Sequence, residues 1–463
     1  MARPALQRSV LILAYSWPPD ASVGAVRPVY LSRQLAALGL RPVVVTVHAK
    51  YHKVHNRGGI AGEDAALVIR TASAPNLARA YVAVRNAVRR MLAPRRPVAA
   101  PRPAADTGNM PAGPRSFGAG FKGTLLALLN TPDEFLGWYP FALLASWRAV
   151  PVHRPICVIS TGPPHSSHLV AMTLKRLRGL AWIADLRDPW AFHDHPTYRA
   201  DSLSDRIIAR MERAMVRHAD RIVNVTPAVT EAYAERYPSV PPTTWATIAN
   251  GFDLEEFRAL GAVPQAERFT ISYVGTFDFQ RSPLLLLQAV AMLIAEGRVD
   301  PRRMSLRFVG RCDDANGRPL ADIIRELGLE RVVEVVPMLP RPEALRELLR
   351  AHVLLLLSGV QRLSVAAKVY EYLAAGRPIH AITGEGRAAE IVRAAGAGRV
   401  VAPDDLEAAK DAVLQWYAEY LAGGVATRLA KPRPSAAALE YSWERLGLRY
   451  ADLIQASAAS EGR

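Results

Sequence analysis

Two oppositely charged residues lie one helical turn apart in the segment KVYEYLAAGRPIHA, residues 368–381. Lys368 and Glu371 are three positions apart near the start of a predicted helix, residues 366–375, so their side chains share one face. Gly376 suits the left-handed conformation that often ends helices, and Pro378 cannot continue one. A cation and a carboxylate at a helix N-terminus suit a ligand that carries both phosphate and sugar hydroxyls. An ordinary surface ion pair would show the same spacing.

The elements that must position such residues alternate along most of the chain. We predict strands at residues 10–14, 42–47, 156–160, 181–185, 221–225, 245–249, 270–274, 305–309, 332–336, 353–357 and 379–382. Helical segments lie between them, among them residues 25–38 and 166–178. Strand, helix and strand in succession imply right-handed crossovers and parallel sheets. We therefore predict an α/β protein with two Rossmann-like, doubly wound domains, which bind ligands in a cleft at the carboxyl ends of the strands.

The segment KVYEYLAAGRP resembles the donor-nucleotide block of family 4 of the retaining glycosyltransferases, which have the GT-B fold. Four more parts of the chain resemble the same family in the same order: YSWPPDASVGAVRP, STGPPHSSHLVAM with IADLRDPW, TIANGFDLEEF, and ISYVGTFDFQRSPLLLLQAV. The resemblance covers nearly the whole chain apart from about residues 50–125. It implies an acceptor-side domain at residues 1–262, a nucleotide-sugar domain at 263–425, and a last helix at 435–463 that packs back on the first domain.

The resemblance implies roles for residues of the second domain. Glu371 matches the family glutamate that accepts hydrogen bonds from ribose hydroxyls, and Lys368 and Arg281 are candidates to contact the diphosphate. Gly275 would let the backbone approach the phosphates closely. Ser364 is a candidate for the donor sugar or phosphate, although a loop serine is usually a cap.

Two positions depart from the family pattern. A second family glutamate, eight residues before Glu371, is Leu363 here. The Arg and Lys that usually follow the first strand of the second domain appear as Thr276 and Arg281. The first change resembles a subset of the family with the pattern Lys-x-x-Glu-Tyr, and it leaves the donor sugar undetermined.

The first domain supplies candidates for the acceptor side. In the loop at residues 20–28, Gly24 permits close approach of a ligand, and Arg27 is placed to reach a phosphate. His165 follows a predicted strand and should face the cleft. Asp188 lies just beyond another strand end, where a carboxylate would orient the acceptor hydroxyl or simply cap a turn. The Asp-x-x-Asp spacing of Asp185 and Asp188 is too common to indicate a metal, so we predict no metal site.

Positive charge is concentrated near the N-terminus. Residues 1–123 hold 18 Lys and Arg against 4 Asp and Glu, whereas the whole chain has a net charge of +16. A domain this basic indicates an anionic partner, and we expect an anionic membrane surface. Residues 77–92 form a basic amphipathic helix candidate beside a Pro- and Gly-rich insertion at about 93–120, which we predict to be flexible. No zinc-finger, RNP or basic-zipper pattern supports nucleic-acid binding.

Cysteine usage and hydropathy indicate the compartment. Cys157 and Cys312, the two cysteines, lie beside apolar segments and are predicted to be buried thiols in a reducing environment. The N-terminal apolar segment is short and lacks a signal-peptide cleavage site, and no apolar stretch approaches ~20 residues. We expect a cytoplasmic protein, peripheral on the inner face of the plasma membrane.

The family resemblance implies a metal-independent, retaining glycosyltransferase without a bound cofactor. Its donor would be a nucleotide-diphosphate sugar and its acceptor a lipid-linked or surface polysaccharide. A sugar-nucleotide epimerase of similar architecture and a catalytically silent nucleotide-sugar-binding scaffold are the alternatives. Turnover of nucleotide sugars with and without membrane extract separates the three.

Overall fold

A computed structural model describes residues 8–20, 22–52, 65–76, 127–192, 202–278, 281–359, 365–423 and 434–460, together with residues 81, 85 and 363. Three predictions fall on other residues and lie outside this description. They concern Ser364, the insertion at residues 93–120, and nearly all of the amphipathic candidate at 77–92.

In the described residues, the first sheet has seven parallel strands in the order β3-β2-β1-β4-β5-β6-β7. They are β1 Ser9–Leu13, β2 Arg41–Val47, β3 Leu67–Thr71, β4 Pro155–Gly162, β5 Trp182–Leu186, β6 Arg221–Asn224 and β7 Trp245–Thr247. The strand order reverses on either side of β1, where Ile12 pairs with Val44 of β2 and with Ile159 of β4. Such a reversal opens a crevice at the carboxyl ends of the strands.

Helices cover both faces of this sheet. They are α1 Val23–Ala37, α2 Tyr139–His153, α3 Ser166–Arg178, α4 Leu203–His218 and α5 Pro227–Arg236, with short 3₁₀ turns at Ala49–Tyr51, Leu136–Trp138 and Pro242–Thr244. The short helix α6 Leu254–Arg258 follows in the chain but packs into the core of the second domain. Successive strand residues face opposite layers. Leu11 and Leu13 pack under helices α2 to α5, whereas Val10 and Ile12 pack under α1.

The second sheet has six parallel strands in the order β12-β9-β8-β13-β14-β15 within the described residues. They are β8 Phe269–Thr276, β9 Met304–Arg311, β12 Val333–Val336, β13 Val353–Ser358, β14 Ile379–Thr383 and β15 Gly398–Val401, and a small antiparallel ribbon joins β10 Asp314–Ala315 to β11 Arg318–Pro319. The helices are α7 Leu284–Ala295, α8 Leu320–Glu326, α9 Arg341–Arg350, α10 Lys368–Ala375, α11 Arg387–Ala394 and α12 Leu406–Leu421. The strand β13 consists of Val, Leu and Ser, and all its residues are buried, because helices cover both faces.

The C-terminal segment returns to the first sheet. After α13 Ala436–Leu439, the helix α14 Trp443–Ser460 lies beside α1, β4 and β5. Its buried residues recur at helical spacing (Trp443, Leu446, Tyr450 and Ile454) and join the core beneath α1. The main chain adds a pairing with the segment between the two sheets, because the Trp443 amide donates to the Phe252 carbonyl at 3.0 Å.

The two parallel sheets confirm the predicted α/β class with two Rossmann-like domains. The predicted strands are all present, although some ends differ, and the sequence did not indicate the edge strands β3 and β15. The strand predicted at residues 270–274 runs to Thr276, so Gly275 lies inside β8 and not in the loop after it. The helix predicted to begin at residue 366 begins at Lys368.

Candidate active site

Two glycines at the carboxyl edge of the second sheet leave this edge without side chains at their positions. Gly275 of β8 pairs with Gly310 of β9, and their φ angles of 152° and 124° are rarely adopted by residues with side chains. A Cβ atom on Gly275 would overlap the Nζ atom of Lys368, and one on Gly310 would overlap the Gly275 carbonyl oxygen. Gly275 therefore makes room for the lysine above the strand end, and Gly310 makes room for the main chain of β8.

Lys368 is the first residue of α10, and Tyr273 holds its ammonium group. The lysine Nζ donates to the Tyr273 hydroxyl at 2.8 Å and lies 4.0 Å from the centre of its ring. The Tyr273 hydroxyl in turn donates to the Thr276 carbonyl at 2.8 Å. Burial, assisted by the positive charge of Arg281, lowers the pKa of Lys368 to about 7. At neutral pH the lysine is thus poised between its charged and neutral forms.

Arg281 is the second cation of this cluster. It forms an ion pair with Asp278 at 3.2 Å, and its backbone amide donates to the Asp278 carbonyl at 3.0 Å. Its positive charge favours the neutral form of Lys368 and the deprotonated form of Tyr273. The structure thus brings together three residues predicted from the sequence: Gly275, Arg281 and Lys368.

Glu371, one turn after Lys368, has a different partner. Its Oε1 atom accepts from the Nη1 atom of Arg341 at 2.9 Å, and its side chain is half-buried. Among the described residues Glu371 and Lys368 form no ion pair with each other, so their i, i+3 spacing reflects two separate contacts. Arg341 begins α9 and also binds Glu256 of α6 at 2.7 Å and the Tyr30 hydroxyl of α1 at 3.3 Å. Burial opposes charging of Arg341, but Glu371, Tyr30 and Glu256 together raise its pKa well above the ordinary value.

At the carboxyl edge of the first sheet, Arg187 lies beside Gly24 and Asp188, two of the residues that the sequence indicated. It follows β5 and precedes Asp188, which is half-buried. Its guanidinium donates to the carbonyls of Gly162 and Pro163. A Cβ on Gly24 would come within 3.1 Å of the Arg187 Nη1 atom, so this glycine admits the arginine into the loop. Burial lowers the pKa of Arg187 although Asp188 and Asp185 oppose the change.

His165 immediately precedes α3 and packs against the loop that follows Asp188. Its ring stacks on the Trp190 ring, with the centroids 4.9 Å apart and the planes 12° from parallel. The loop is anchored from below by the buried Glu212, which accepts from the Ala191 amide at 2.7 Å and from the Tyr233 hydroxyl at 2.9 Å. These contacts fix the position of His165 relative to the loop that follows Asp188.

Arg27 does not face the cleft. It is 2% exposed, and it donates to Asp185 at 2.9–3.1 Å and to the Tyr450 hydroxyl at 2.7 Å. Its remaining donors go to Asn250 and to the carbonyls of Ile248 and Ala249. Burial favours a neutral Asp185, but Arg27, Tyr450 and Thr161 hold its pKa below the ordinary value. The prediction that Arg27 reaches a phosphate is wrong for this structure, because every donor is already engaged inside the protein.

Leu363, which stands where the family has its second glutamate, joins the two domains. Its side chain packs against the core of the first domain, and its carbonyl accepts from the Thr226 Oγ1 atom at 3.0 Å. Within the described ranges, no group of three or more His, Cys, Asp and Glu is placed to hold a metal ion.

Four residues of the site were not singled out from the sequence. Arg187 follows Asp185 in a segment already noted, so its strand-end position was the available signal. Tyr273 lies in β8 two residues before Gly275, and that proximity was the available signal. Arg341 and Glu256 offer no local pattern, because only the fold brings α9 and α6 together.

Comparisons with known proteins match both halves of the chain to glycosyltransferase families. Residues 268–419 match the model described as "Glycosyl transferases group 1", and residues 113–256 match "Glycosyltransferase Family 4". A D-inositol 3-phosphate glycosyltransferase from Thermobispora bispora is 31% identical over 143 residues, which are 28% of this chain and 33% of the relative. The matched segment thus spans only a third of that relative's length.

Similar solved structures extend over nearly the whole chain. Sucrose-phosphate synthase from Thermosynechococcus elongatus has a TM-score of 0.61 and 17% identity, with 98% of this chain and all of that one covered. The Anabaena protein HepE in complex with UDP-glucose has a TM-score of 0.57 and 13% identity, with 97% and 99% covered. At these identities the structures establish the fold. The two family matches thus assign residues 113–256 and 268–419 to glycosyltransferase families, and the two parallel sheets have the arrangement of the GT-B fold.

Proposed function

We propose that this protein transfers a sugar from a nucleotide-diphosphate sugar to an acceptor hydroxyl, with retention and without a metal ion. The observation that carries the proposal is the cluster of Lys368 and Arg281 at the bare carboxyl edge of the second sheet, one helical turn from Glu371. Negative charge grows on the departing diphosphate as the glycosidic bond breaks, and two cations beside a helix N-terminus stabilise that charge.

The second domain offers a separate contact for each part of the donor. Gly275 and Gly310 let the diphosphate approach the main chain, and Lys368 exchanges its contact with Tyr273 for the phosphate oxygens. Glu371 offers its half-buried carboxylate to the ribose hydroxyls, while Arg341 orients it through one oxygen. The similarity to a structure that contains UDP-glucose supports a nucleotide sugar as the donor.

The acceptor side of this proposal lies across the cleft on the first domain. Asp188 orients the acceptor hydroxyl there, His165 and Gly24 border the same strand ends, and Arg187 adds a cation for an acceptor phosphate. A lipid-linked or surface-polysaccharide acceptor fits this arrangement, with the protein peripheral on the cytoplasmic face of the membrane. Among the described residues, no helix has both the length and the apolar character that a bilayer span requires.

One observation favours a second candidate, a nucleotide-sugar-binding scaffold without turnover. Leu363 replaces an expected carboxylate with a side chain that packs into the first domain. If the missing carboxylate is essential, donor binding persists and transfer is lost.

Turnover of a panel of nucleotide sugars, with and without membrane extract and EDTA, tests the proposal. We expect turnover that requires extract and survives EDTA. Lys368→Ala and Arg281→Ala should each lower kcat more than they raise KM, because the cations act mainly in the transition state. Strict dependence on magnesium or manganese would overturn the metal-free mechanism. Release of free sugar without acceptor would support an epimerase, and binding without turnover would support the scaffold.

A further inference from the structure

Four arginines form a straight line along the outer surface of α4. Arg206, Arg210, Arg213 and Arg217 are spaced by four, three and four residues, and all four are exposed. At 3.6 residues per turn these positions fall within ~60° of one another, over a length of about 16 Å. We call this row the arginine stripe.

The charge of the arginine stripe is not compensated within the described residues. None of its four side chains forms a salt bridge there. The acidic residues of the same helix, Asp205 and Glu212, are buried and turned toward caps and loops. A row of like charges on one helix face is unfavourable by itself, so an anionic partner would relieve it.

An apolar surface lies beside the stripe on the same side of the sheet. Helix α3 contacts both α2 and α4, so the three helices form one layer. Five large apolar residues of α2 and α3 are 37% to 71% exposed: Phe141, Leu144, Trp147, Val152 and Leu177. Neither helix contains an acidic residue. The Arg178 guanidinium lies 3.5 Å from the centre of the Trp147 ring, so basic and aromatic groups are interleaved.

We propose that this layer, with the arginine stripe of α4 and the exposed apolar residues of α2 and α3, is the surface by which the protein docks on an anionic lipid bilayer. Exposed aromatic and aliphatic side chains enter the headgroup region of a bilayer, while arginines bind the lipid phosphates around them. A soluble polyanion would use the arginines alone and leave the apolar residues in water. The combination therefore favours a membrane over a polyanion or a nucleic acid.

The position of the layer suits a membrane-bound acceptor. Helix α3 begins beside His165, at the carboxyl edge where the proposed acceptor residues lie. A shallow cavity of about 310 Å³ at the end of the stripe, lined by Arg213, Arg217, Arg236 and Tyr237 among others, is large enough for a headgroup phosphate. The link to the acceptor rests on the proposed function, but docking itself is independent of turnover.

Vesicle binding measures docking without any enzymatic assay. Wild-type protein should sediment with vesicles that contain phosphatidylglycerol, remain free with pure phosphatidylcholine, and dissociate as salt increases. The triple variant Arg210→Gln, Arg213→Gln, Arg217→Gln should bind at least about tenfold more weakly, since each basic residue at the surface contributes roughly a factor of five. A matched triple variant on the second domain, Arg302→Gln, Arg303→Gln, Arg331→Gln, changes net charge equally and should bind like the wild type.

A second pair of variants tests the apolar part. Leu144→Ser with Val152→Ser should weaken binding to the same vesicles, whereas Met338→Ser, at an exposed position of the second domain, should not. Circular dichroism and nucleotide binding establish that each variant is folded. An equal loss of vesicle binding in both triple arginine variants would overturn the proposal. Vesicle binding that is unchanged in the double serine variant would overturn it as well. Tighter, stripe-dependent binding to soluble polyphosphate than to vesicles would assign the stripe to a polyanion instead.

Discussion

At the scale of single residues, the protonation of Lys368 should couple donor binding to pH. Its pKa is lowered to about 7 in the ligand-free protein, and a bound diphosphate favours the charged form and raises the pKa. Binding then takes up a proton between these two pKa values, so affinity should be greatest below pH 7 and fall by up to about tenfold per pH unit above it.

Calorimetry with an intact nucleotide sugar, whose esterified diphosphate does not titrate in this range, measures the proton uptake. Repeating the titration in buffers of different ionisation enthalpy gives the number of protons. Lys368→Arg serves as the control, because an arginine stays charged and should remove the dependence on pH. An affinity that is constant from pH 6.5 to 8.5 in the wild type would contradict this assignment.

Glu371 provides the second prediction at this scale. Replacement by alanine should weaken nucleotide binding by about 1.5–3 kcal/mol, since ribose hydroxyls lose a charged acceptor. The fold should tolerate the change because the side chain is only half-buried. Glu385→Ala is a matched control, since Glu385 also pairs with an arginine, Arg393, but on an exposed surface. Equal affinity of Glu371→Ala and wild type for UDP and GDP would remove Glu371 from the site.

At the scale of elements, the last helix is fastened to the first sheet by a buried polar network. Tyr450 of α14 donates to Asp185 of β5 at 2.8 Å, and Arg27 of α1 binds both. Arg27→Met should lower the free energy of unfolding by about 3–5 kcal/mol, because it leaves the Asp185 charge buried without its partner.

Chemical denaturation measures this loss, and Arg258→Met is the comparison. Arg258 forms an exposed ion pair with Glu255, and its replacement should cost less than about 1 kcal/mol. An Arg27→Met protein with wild-type stability and weakened phosphate binding would restore the role that the sequence suggested for Arg27.

At the scale of the whole molecule, contacts between the domains decide how the cleft is assembled. Leu363 and Thr226 join the domains on one side, while Arg341 of the second domain reaches Tyr30 of the first. Leu363→Glu restores the carboxylate typical of the family, but it places a charge against the core of the first domain. We expect turnover at least about tenfold lower and a larger radius of gyration in solution scattering.

The volume-conserving variant Leu363→Met should behave like wild type, because such exchanges usually cost less than about 1.5 kcal/mol. Turnover that rises in Leu363→Glu would instead show that a carboxylate at this position contacts the donor and that the packed leucine reduces activity.

The sequence by itself determined most of the local elements of this protein and three residues of the cluster around Lys368. Short apolar runs place the inner strands within a few residues, because burial on both faces of a parallel sheet leaves a continuous apolar signal in the chain. The edge strands β3 and β15 are less buried and did not stand out. Gly275, Arg281 and Lys368 were candidates because two segments resemble the glycosyltransferase family, one at the end of β8 and one at the start of α10.

Only the tertiary structure decided which charged side chains face the cleft and which are buried. Nothing in the local sequence indicates that Arg27 is buried, because its partners Asp185 and Tyr450 lie 158 and 423 residues away along the chain. Glu371 likewise meets Arg341 and not its helical neighbour Lys368. The arginine stripe lies in a part of the chain with little net charge, and it becomes a surface because the fold buries the acidic residues of α4. Sequence records residue type and spacing, whereas the pairing of distant charges depends on which elements the core brings into contact.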